Sequence, residues 1–172
     1  MSKLIEGQDY IIKDNFFDKE YFNNLRATVM DEDSFFPWYF EGSIAMHNDD
    51  KNLNSYFYHL VYSNGKPNSS FYDSTFSVLH DYLNIKELIR IKANCYPSTE
   101  KLSIHSRHRD YDFSHKGALI YLNDTDGYTI LEDNTRVESV ANRVLFFDAH
   151  NWHSSTNCTN QKARFNININ YF

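Results

Sequence analysis

Cysteine, proline and glycine are all scarce: the 172 residues hold 2, 3 and 5 of them. Two cysteines, Cys95 and Cys158, cannot make a disulfide framework, and neither stands in a Cys-x-x-Cys pattern. That excludes a disulfide-stapled scaffold and the common zinc ribbons. So few glycines and prolines leave no room for a flexible linker or a low-complexity tract, and no internal repeat is present. No apolar run approaches the length of a membrane span, and the opening MSKLIEGQDY lacks the apolar core of a secretory signal. A soluble cytoplasmic protein is expected. Basic residues are in deficit too: the formal net charge is −6, so a global electrostatic footprint for nucleic acid is missing. What the chain has in quantity is rings, 13 Tyr, 14 Phe and 2 Trp. A chain of this length is expected to form one domain, 1–172, around a ring-rich core, with some rings lining a cleft.

Periodicity divides the chain into two parts. Residues 9–15 alternate as a short strand, and Asp18 stands where a helix cap would, ahead of Tyr21, Phe22, Leu25 and Val29 on one helical face. Residues 34–43, SFFPWYFEGS, form an aromatic patch interrupted by Pro37. Residues 55–63 read as a strand, and 71–83, with Phe71, Phe76, Leu79 and Leu83, as a helix. From residue 88 the pattern is short strands only: 88–96, 101–108, 118–123, 129–133, 136–140, 142–148 and 163–172, separated by turn residues such as those at 124–127. Helices first and about eight strands after fit an α+β fold. Its core, 85–172, would be a double-stranded β-helix (jelly roll), with helices from the helical and aromatic portion 1–84 packed on one sheet.

The chemistry concentrates in IHSRHRD, 104–110. On an extended segment His108 and Asp110 point to one face. Roughly one His-x-Asp pair is expected by chance in such a chain. His47-Asn48-Asp49 reads as that decoy, in a polar stretch with turn character. His108 and Asp110 instead lie between two good strand candidates. A second histidine from a distant strand would complete a two-His, one-carboxylate set, which leaves one face of an iron(II) ion open for a chelating cosubstrate and O2. Along 163–172, Arg164, Asn166, Asn168 and Asn170 share one face, and Phe165, Ile167, Ile169 and Tyr171 the other. A polar face headed by Arg suits the inside of a small barrel around a ligand. The competing reading is an amphipathic edge strand with its polar residues in water. An arginine fork is suited to the far carboxylate of a dicarboxylic acid. Arg90, Lys92, Lys101, Arg107 and Arg109 cluster nearby, as either a solvated face or a locally positive mouth.

Several motifs in order carry a family resemblance: ANCYP (93–97), RHRD (107–110), IYLN (120–123), DGYT (126–129), NRVLFFD (142–148), HSSTNCTNQKAR (153–164) and the NININYF end, with FPWYF (36–40) extending it toward the N-terminus. They resemble the iron(II)/2-oxoglutarate oxygenases of the prolyl-4-hydroxylase-like branch, and within it the small oxygenases encoded by marine bacteriophages. A phage enzyme would work in the host cytoplasm. The resemblance implies His108, Asp110 and His153 as iron ligands and Arg164 on the C5 carboxylate of 2-oxoglutarate. It places the Tyr121 hydroxyl beside Arg164 and Tyr96 in the cosubstrate pocket. Asn94, two before Tyr96, would face the same way. Where the family often has Gly-Gly, this chain has Gly127-Tyr128. Of the rival histidines, His150 fits the motif less well than His153. His105, at i−3 from His108, belongs behind the site or on the surface, and His115 in a solvent-facing loop.

The cofactors so implied are Fe(II), 2-oxoglutarate and O2, and the reaction is hydroxylation of a C–H bond with release of succinate and CO2. A prolyl residue of a peptide or protein is the expected substrate, in a groove between residues 35–40 and 111–116; a small-molecule substrate stays open. One alternative is an oxidative demethylase of alkylated nucleic acid. NCY resembles the Asn-x-Tyr of the repair dioxygenases, yet their second Arg is here Asn170, and the net charge also speaks against nucleic acid. A non-catalytic cupin-like module is the other alternative, although no His-x-His pair is present.

Overall fold

The computed structural model describes residues 4–7, 9–43 and 55–172, so the His47-Asn48-Asp49 motif lies outside the described residues. β1 (Leu4–Glu6) and β2 (Tyr10–Lys13) pair as a hairpin, and α1 (Lys19–Met30) follows. Next come β3 (Tyr39–Glu41), β4 (Tyr56–Ser63), β5 (Lys66–Pro67), α2 (Leu79–Leu83) and β6 (Leu88–Pro97). The C-terminal strands are β7 (Lys116–Tyr121), β8 (Tyr128–Ile130), β9 (Arg136–Glu138), β10 (Arg143–Asp148), β11 (Ser154–Ser155) and β12 (Ala163–Tyr171). A large antiparallel sheet runs β1-β2-β10-β7-β12-β6-β4-β3, with β5 on β4, and a small sheet runs β11-β8-β9.

Two apolar layers explain why these strands fold over one another. The outer face of the large sheet is covered by helices: Phe22, Leu25 and Val29 of α1 and Leu79 and Leu83 of α2 pack with Ile91, Ile120, Ile167 and Ile169. The Asp18 side chain accepts the Tyr21 N–H at 2.9 Å and starts α1, as the capping pattern requires. On the inner face a second cluster joins Leu119, Tyr121, Leu145 and Phe147 of the large sheet to Leu131 and Val137 beside the small one. This is the α+β jelly roll with helices on one sheet. β12 is no edge strand. It lies between β7 and β6, with Arg164, Asn166, Asn168 and Asn170 buried on the inner face and Ile167 and Ile169 under the helices.

Three local expectations need correction. The helix over 71–83 is split into a π-helical turn, Tyr72–Phe76, and the short α2, which Asn84 ends in the left-handed region at φ 51°. Segment 101–108 is not a strand: its only sheet-like contacts are isolated bridges, Ile104 to Thr156 and His108 to His153. The aromatic patch is divided by burial. Phe36 and Trp38 pack inward, on Phe71 and Phe165, while Phe35, Tyr39 and Phe40 are exposed and Tyr39–Glu41 forms the edge strand β3.

Candidate metal centre and anion pocket

The bridge between His108 and His153 brings two distant parts of the chain together. Each backbone N–H donates to the other residue's carbonyl, at 2.8 and 2.9 Å, and the rings stand 4.5 Å apart, centroid to centroid. His153 Nδ1 lies 2.9 Å from the Asn151 carbonyl, and His108 Nδ1, more loosely, 3.4 Å from that of Ser106. A carbonyl only accepts, so each Nδ1 carries the proton and each neutral ring keeps Nε2 as its lone-pair donor. With one Asp110 oxygen the ligand atoms lie within 4.8 Å of one another, a spread that a single ion can close with small rotations.

Asp110 is itself anchored. Arg90 Nη2 donates to Oδ1 at 2.8 Å, and the side-chain amides of Asn168 and Asn170 donate to Oδ2 at 3.1 and 2.8 Å. Burial alone would push this carboxyl up. The Arg90 charge, with His153 whenever its ring is protonated, the Asn170 hydrogen bond and the Lys92 charge, outweighs it and holds the group well below the usual carboxylate range. His115 supports this from behind: its Nδ1–H donates to the Phe113 carbonyl, which leaves Nε2 to accept from Asn170 at 3.2 Å. The expectation of a solvent-facing His115 is therefore corrected; the residue is buried. Arg90 is likewise no solvated cation. Lys101, Arg107 and Arg109 are exposed, and Arg109 lies over the Trp152 ring at 4.7 Å.

Arg164 sits at the other end of the inner face, with no exposed surface. Nη1 donates to the Thr156 carbonyl and Nη2 to Thr129 Oγ1, both at 3.0 Å, while Nε has no partner. No carboxylate pairs with it among the described residues. A guanidinium has five N–H donors, so most of this fork is unoccupied in a place where an uncompensated charge is costly. Tyr121 and Tyr96 flank it, their ring centroids 5.5 and 5.6 Å from its central carbon. The Tyr121 hydroxyl also donates to Thr129 Oγ1, at 2.9 Å, and Asn94 donates to Asn166, its own Oδ1 unpartnered. A small cavity between the two ends is lined by Asn94, Tyr96, Thr129, His108 and His153. Gly127 is required by close approach: a Cβ there would stand 2.7 Å from Arg164 Cδ and 2.3 Å from the Asn157 carbonyl oxygen.

Thr129, Asn168 and Asn170 carry functions that residue-type reasoning did not assign. His105 lies behind Ser155 and Tyr96, two residues that line the pocket. Its Nδ1 is 2.8 Å from Ser155 Oγ and its ring lies 5.3 Å from Tyr96, so a surface position is excluded. Of the two places expected for it, behind the site or on the surface, it takes the first. His150 is not part of the cluster.

Burial, then the charges of Arg164 and His108, push His105 down to about 3; burial, then His153, push His108 down to about 4. An unfolded chain takes up these protons near pH 6.5, the folded metal-free protein only well below it. The unfolded state therefore binds more protons in between, and stability should fall as pH drops from about 6.5 through about 4, by a few kcal/mol. Urea unfolding of metal-free protein across that window checks this, and His105→Gln should flatten the slope. A midpoint independent of pH would contradict it.

No family model and no curated protein matches the sequence. Solved structures do match. A Pseudomonas putida prolyl-4-hydroxylase aligns over 95% of this chain and 92% of its own, at 14% identity and a TM-score of 0.61. A Trichoplax adhaerens prolyl hydroxylase, in complex with a hypoxia inducible factor oxygen degradation domain peptide fragment, aligns over 95% and 83%, at 15% identity and 0.67. The epimerase SnoN, in complex with Fe3+, alpha ketoglutarate and nogalamycin RO, aligns over 96% and 79%, at 13% identity and 0.70. The chain shares their fold. Since that fold serves an epimerase as well as hydroxylases, the reaction has to be argued from the site. No helix of the described residues is long and apolar enough to cross a membrane.

Proposed function

We propose that the chain is an iron(II)- and 2-oxoglutarate-dependent dioxygenase that hydroxylates a prolyl residue of a peptide or protein. One observation carries this: a fully buried arginine, without an acidic partner among the described residues, stands behind the Tyr96 and Thr129 wall of a small cavity that is also lined by His108 and His153 of the His-x-Asp…His cluster. The donor set fits an iron(II) ion, with two neutral imidazoles, one ionised carboxylate and room for further ligands. The anion end fits a dicarboxylate, because no carboxylate among the described residues pairs with Arg164 and the Tyr121 ring is beside it.

His108, Asp110 and His153 would hold the iron, and Arg164, with Tyr121 and Thr129, the distal carboxylate of 2-oxoglutarate. Tyr96 and Asn94 would line the cosubstrate's path between them. When bound, iron and 2-oxoglutarate supply the oxidising chemistry: O2 is consumed, succinate and CO2 leave, and one oxygen atom enters the substrate C–H bond. The protein's own contribution is positional. Two backbone carbonyls fix the histidine rings, and Arg90, Asn168 and Asn170 aim the carboxylate. The ring-lined walls keep bulk water from the reacting atoms. No side chain needs to act as a general base.

The prolyl substrate is supported by the hydroxylases that share the fold and by an aromatic border on the site. That border is not the whole 35–40 segment, since Phe36 and Trp38 are core. From the two segments it draws on Tyr39 of β3 and on Tyr111, which lies under the Arg90 guanidinium at 5.2 Å. Asn170 holds Asp110, so it does not stand in for a second cosubstrate arginine, and nothing in the site favours the demethylase reading. Purified protein with iron(II), ascorbate, 2-oxoglutarate and a proline-rich peptide library should yield peptides heavier by one oxygen, with matching succinate. Succinate release driven by methylated single-stranded DNA and not by peptides would overturn the substrate. No iron-dependent succinate with any substrate would favour the binding module.

A further inference from the structure

The inner face of β6 presents Arg90, Lys92, Asn94 and Tyr96 in alternation. Three of these have occupations described above: Arg90 on Asp110, Asn94 on Asn166, and Tyr96 under Arg164. Lys92 has none. Its ammonium lies 5.6 Å from the centroid of the Tyr56 ring, and it forms no ion pair among the described residues. The sheet register places it opposite Asn168, whose amide holds Asp110, so it stands on the floor of the site beside the carboxylate ligand. Burial, then the neighbouring Arg90 charge, push its pKa down to about 8, against the weaker pull of Asp110 and Glu41.

The backbone at Lys92 is well separated from that at Arg164. Arg164 pairs with Tyr96, four residues along β6, or about 13 Å at the rise of an extended strand. A 2-oxoglutarate stretched from Arg164 to the metal ligands leaves Lys92 on the remaining, open side. A row of tyrosines starts there. Tyr96 stacks on Tyr56 at 5.4 Å, Tyr56 neighbours Tyr58 at 6.1 Å, and Tyr58 neighbours Tyr39 at 6.2 Å. Tyr96 and Tyr56 are buried, at 7% and 6%, Tyr58 is half-buried and Tyr39 is 55% exposed, so the row leads from the cavity to solvent. Flat rings accept a compact ring or planar group over their faces, and a partly buried ammonium at the end of the row calls for an anion.

We infer that Lys92 and the row Tyr56, Tyr58 and Tyr39 form the seat of the primary substrate, and that this seat selects a substrate carrying a carboxylate close to the carbon that is hydroxylated. The inference rests on the oxygenase reading for the word substrate, but the seat itself is a binding surface that can be measured without turnover. The carboxylate has two sources: an Asp or Glu side chain next to the target residue, or the free carboxyl end of a small amino-acid-like molecule.

The test is calorimetric binding of four probes to the metal- and 2-oxoglutarate-loaded protein without O2. They are acetyl-Asp-Pro-amide against acetyl-Asn-Pro-amide, and acetyl-proline with a free carboxylate against its amide. Wild-type protein should bind at least one charged probe roughly tenfold or more tightly than its neutral twin. The pair that discriminates identifies the source. Lys92→Gln should abolish the preference and Lys92→Arg should keep part of it, while the affinity for 2-oxoglutarate stays at the wild-type value. Equal binding of charged and neutral probes by wild type would overturn the inference. So would a Lys92→Gln protein with weakened 2-oxoglutarate affinity, since Lys92 would then serve the cosubstrate. If wild type binds neither iron(II) nor 2-oxoglutarate, the oxygenase reading fails, and the carboxylate seat is still decided by the same four probes on the unloaded protein.

Discussion

Arg164→Ala should weaken 2-oxoglutarate binding by roughly 2–5 kcal/mol, the usual loss when a buried charge pair is deprived of one member. The side chain has no exposed surface, and two of its nitrogens are held by Thr156 and Thr129. It cannot swing away. The same burial means that the variant should not lose stability in proportion, because it also removes an uncompensated charge from the ligand-free protein. Arg164→Lys should recover only part of the affinity, since a single ammonium replaces a planar fork. Calorimetric titration of 2-oxoglutarate into metal-loaded wild type and both variants measures this directly. An unchanged dissociation constant in Arg164→Ala would move the anion pocket elsewhere.

Alanine at His108, Asp110 or His153 should abolish turnover and reduce bound iron from one equivalent per chain to a small fraction. The three replacements should differ in stability. His108→Ala and His153→Ala remove rings whose Nδ1 protons serve only backbone carbonyls. Asp110→Ala strands the Arg90 guanidinium and two asparagine amides around an empty space, which should destabilise the protein by about 3–5 kcal/mol. Alanine at His47, Asp49 or His150 should leave iron content and turnover in place. Metal analysis of the purified variants, with chemical denaturation alongside, checks both halves. Iron retained by His108→Ala, or lost from His150→Ala, would sink the assignment.

Much of the fold was legible because single elements advertise their own faces. The strict alternation from Arg164 to Tyr171 could serve only a strand with a polar and an apolar side, and Asp18 ahead of Tyr21, Phe22 and Leu25 could only open an amphipathic helix. What pattern cannot convey is pairing across the structure. Arg90 looked like one more basic residue until the sheet register set it against Asp110. His115 looked like a loop residue because its neighbours Phe113, Ser114 and Lys116 are exposed, yet its ring is turned inward onto Asn170. For His105 the sequence left two places open, behind the site or on the surface, and its hydrogen bond to Ser155 decides for the first. Phe36 and Phe40 belong to one aromatic run but separate by burial, because the backbone passes through the left-handed region at Phe35, φ 54°, and then enters an edge strand.

The central claim is that one metal ion and one dicarboxylate occupy the two ends of a single cavity. A crystal structure of protein loaded with iron(II) and 2-oxoglutarate without O2 tests it most directly, with anomalous scattering to locate the metal. The account predicts one iron bound by Nε2 of His108, Nε2 of His153 and a carboxylate oxygen of Asp110, and a 2-oxoglutarate whose distal carboxylate lies on Arg164 beside the Tyr121 hydroxyl. Iron held by His105 or His150, or a distal carboxylate turned away from Arg164, would contradict it.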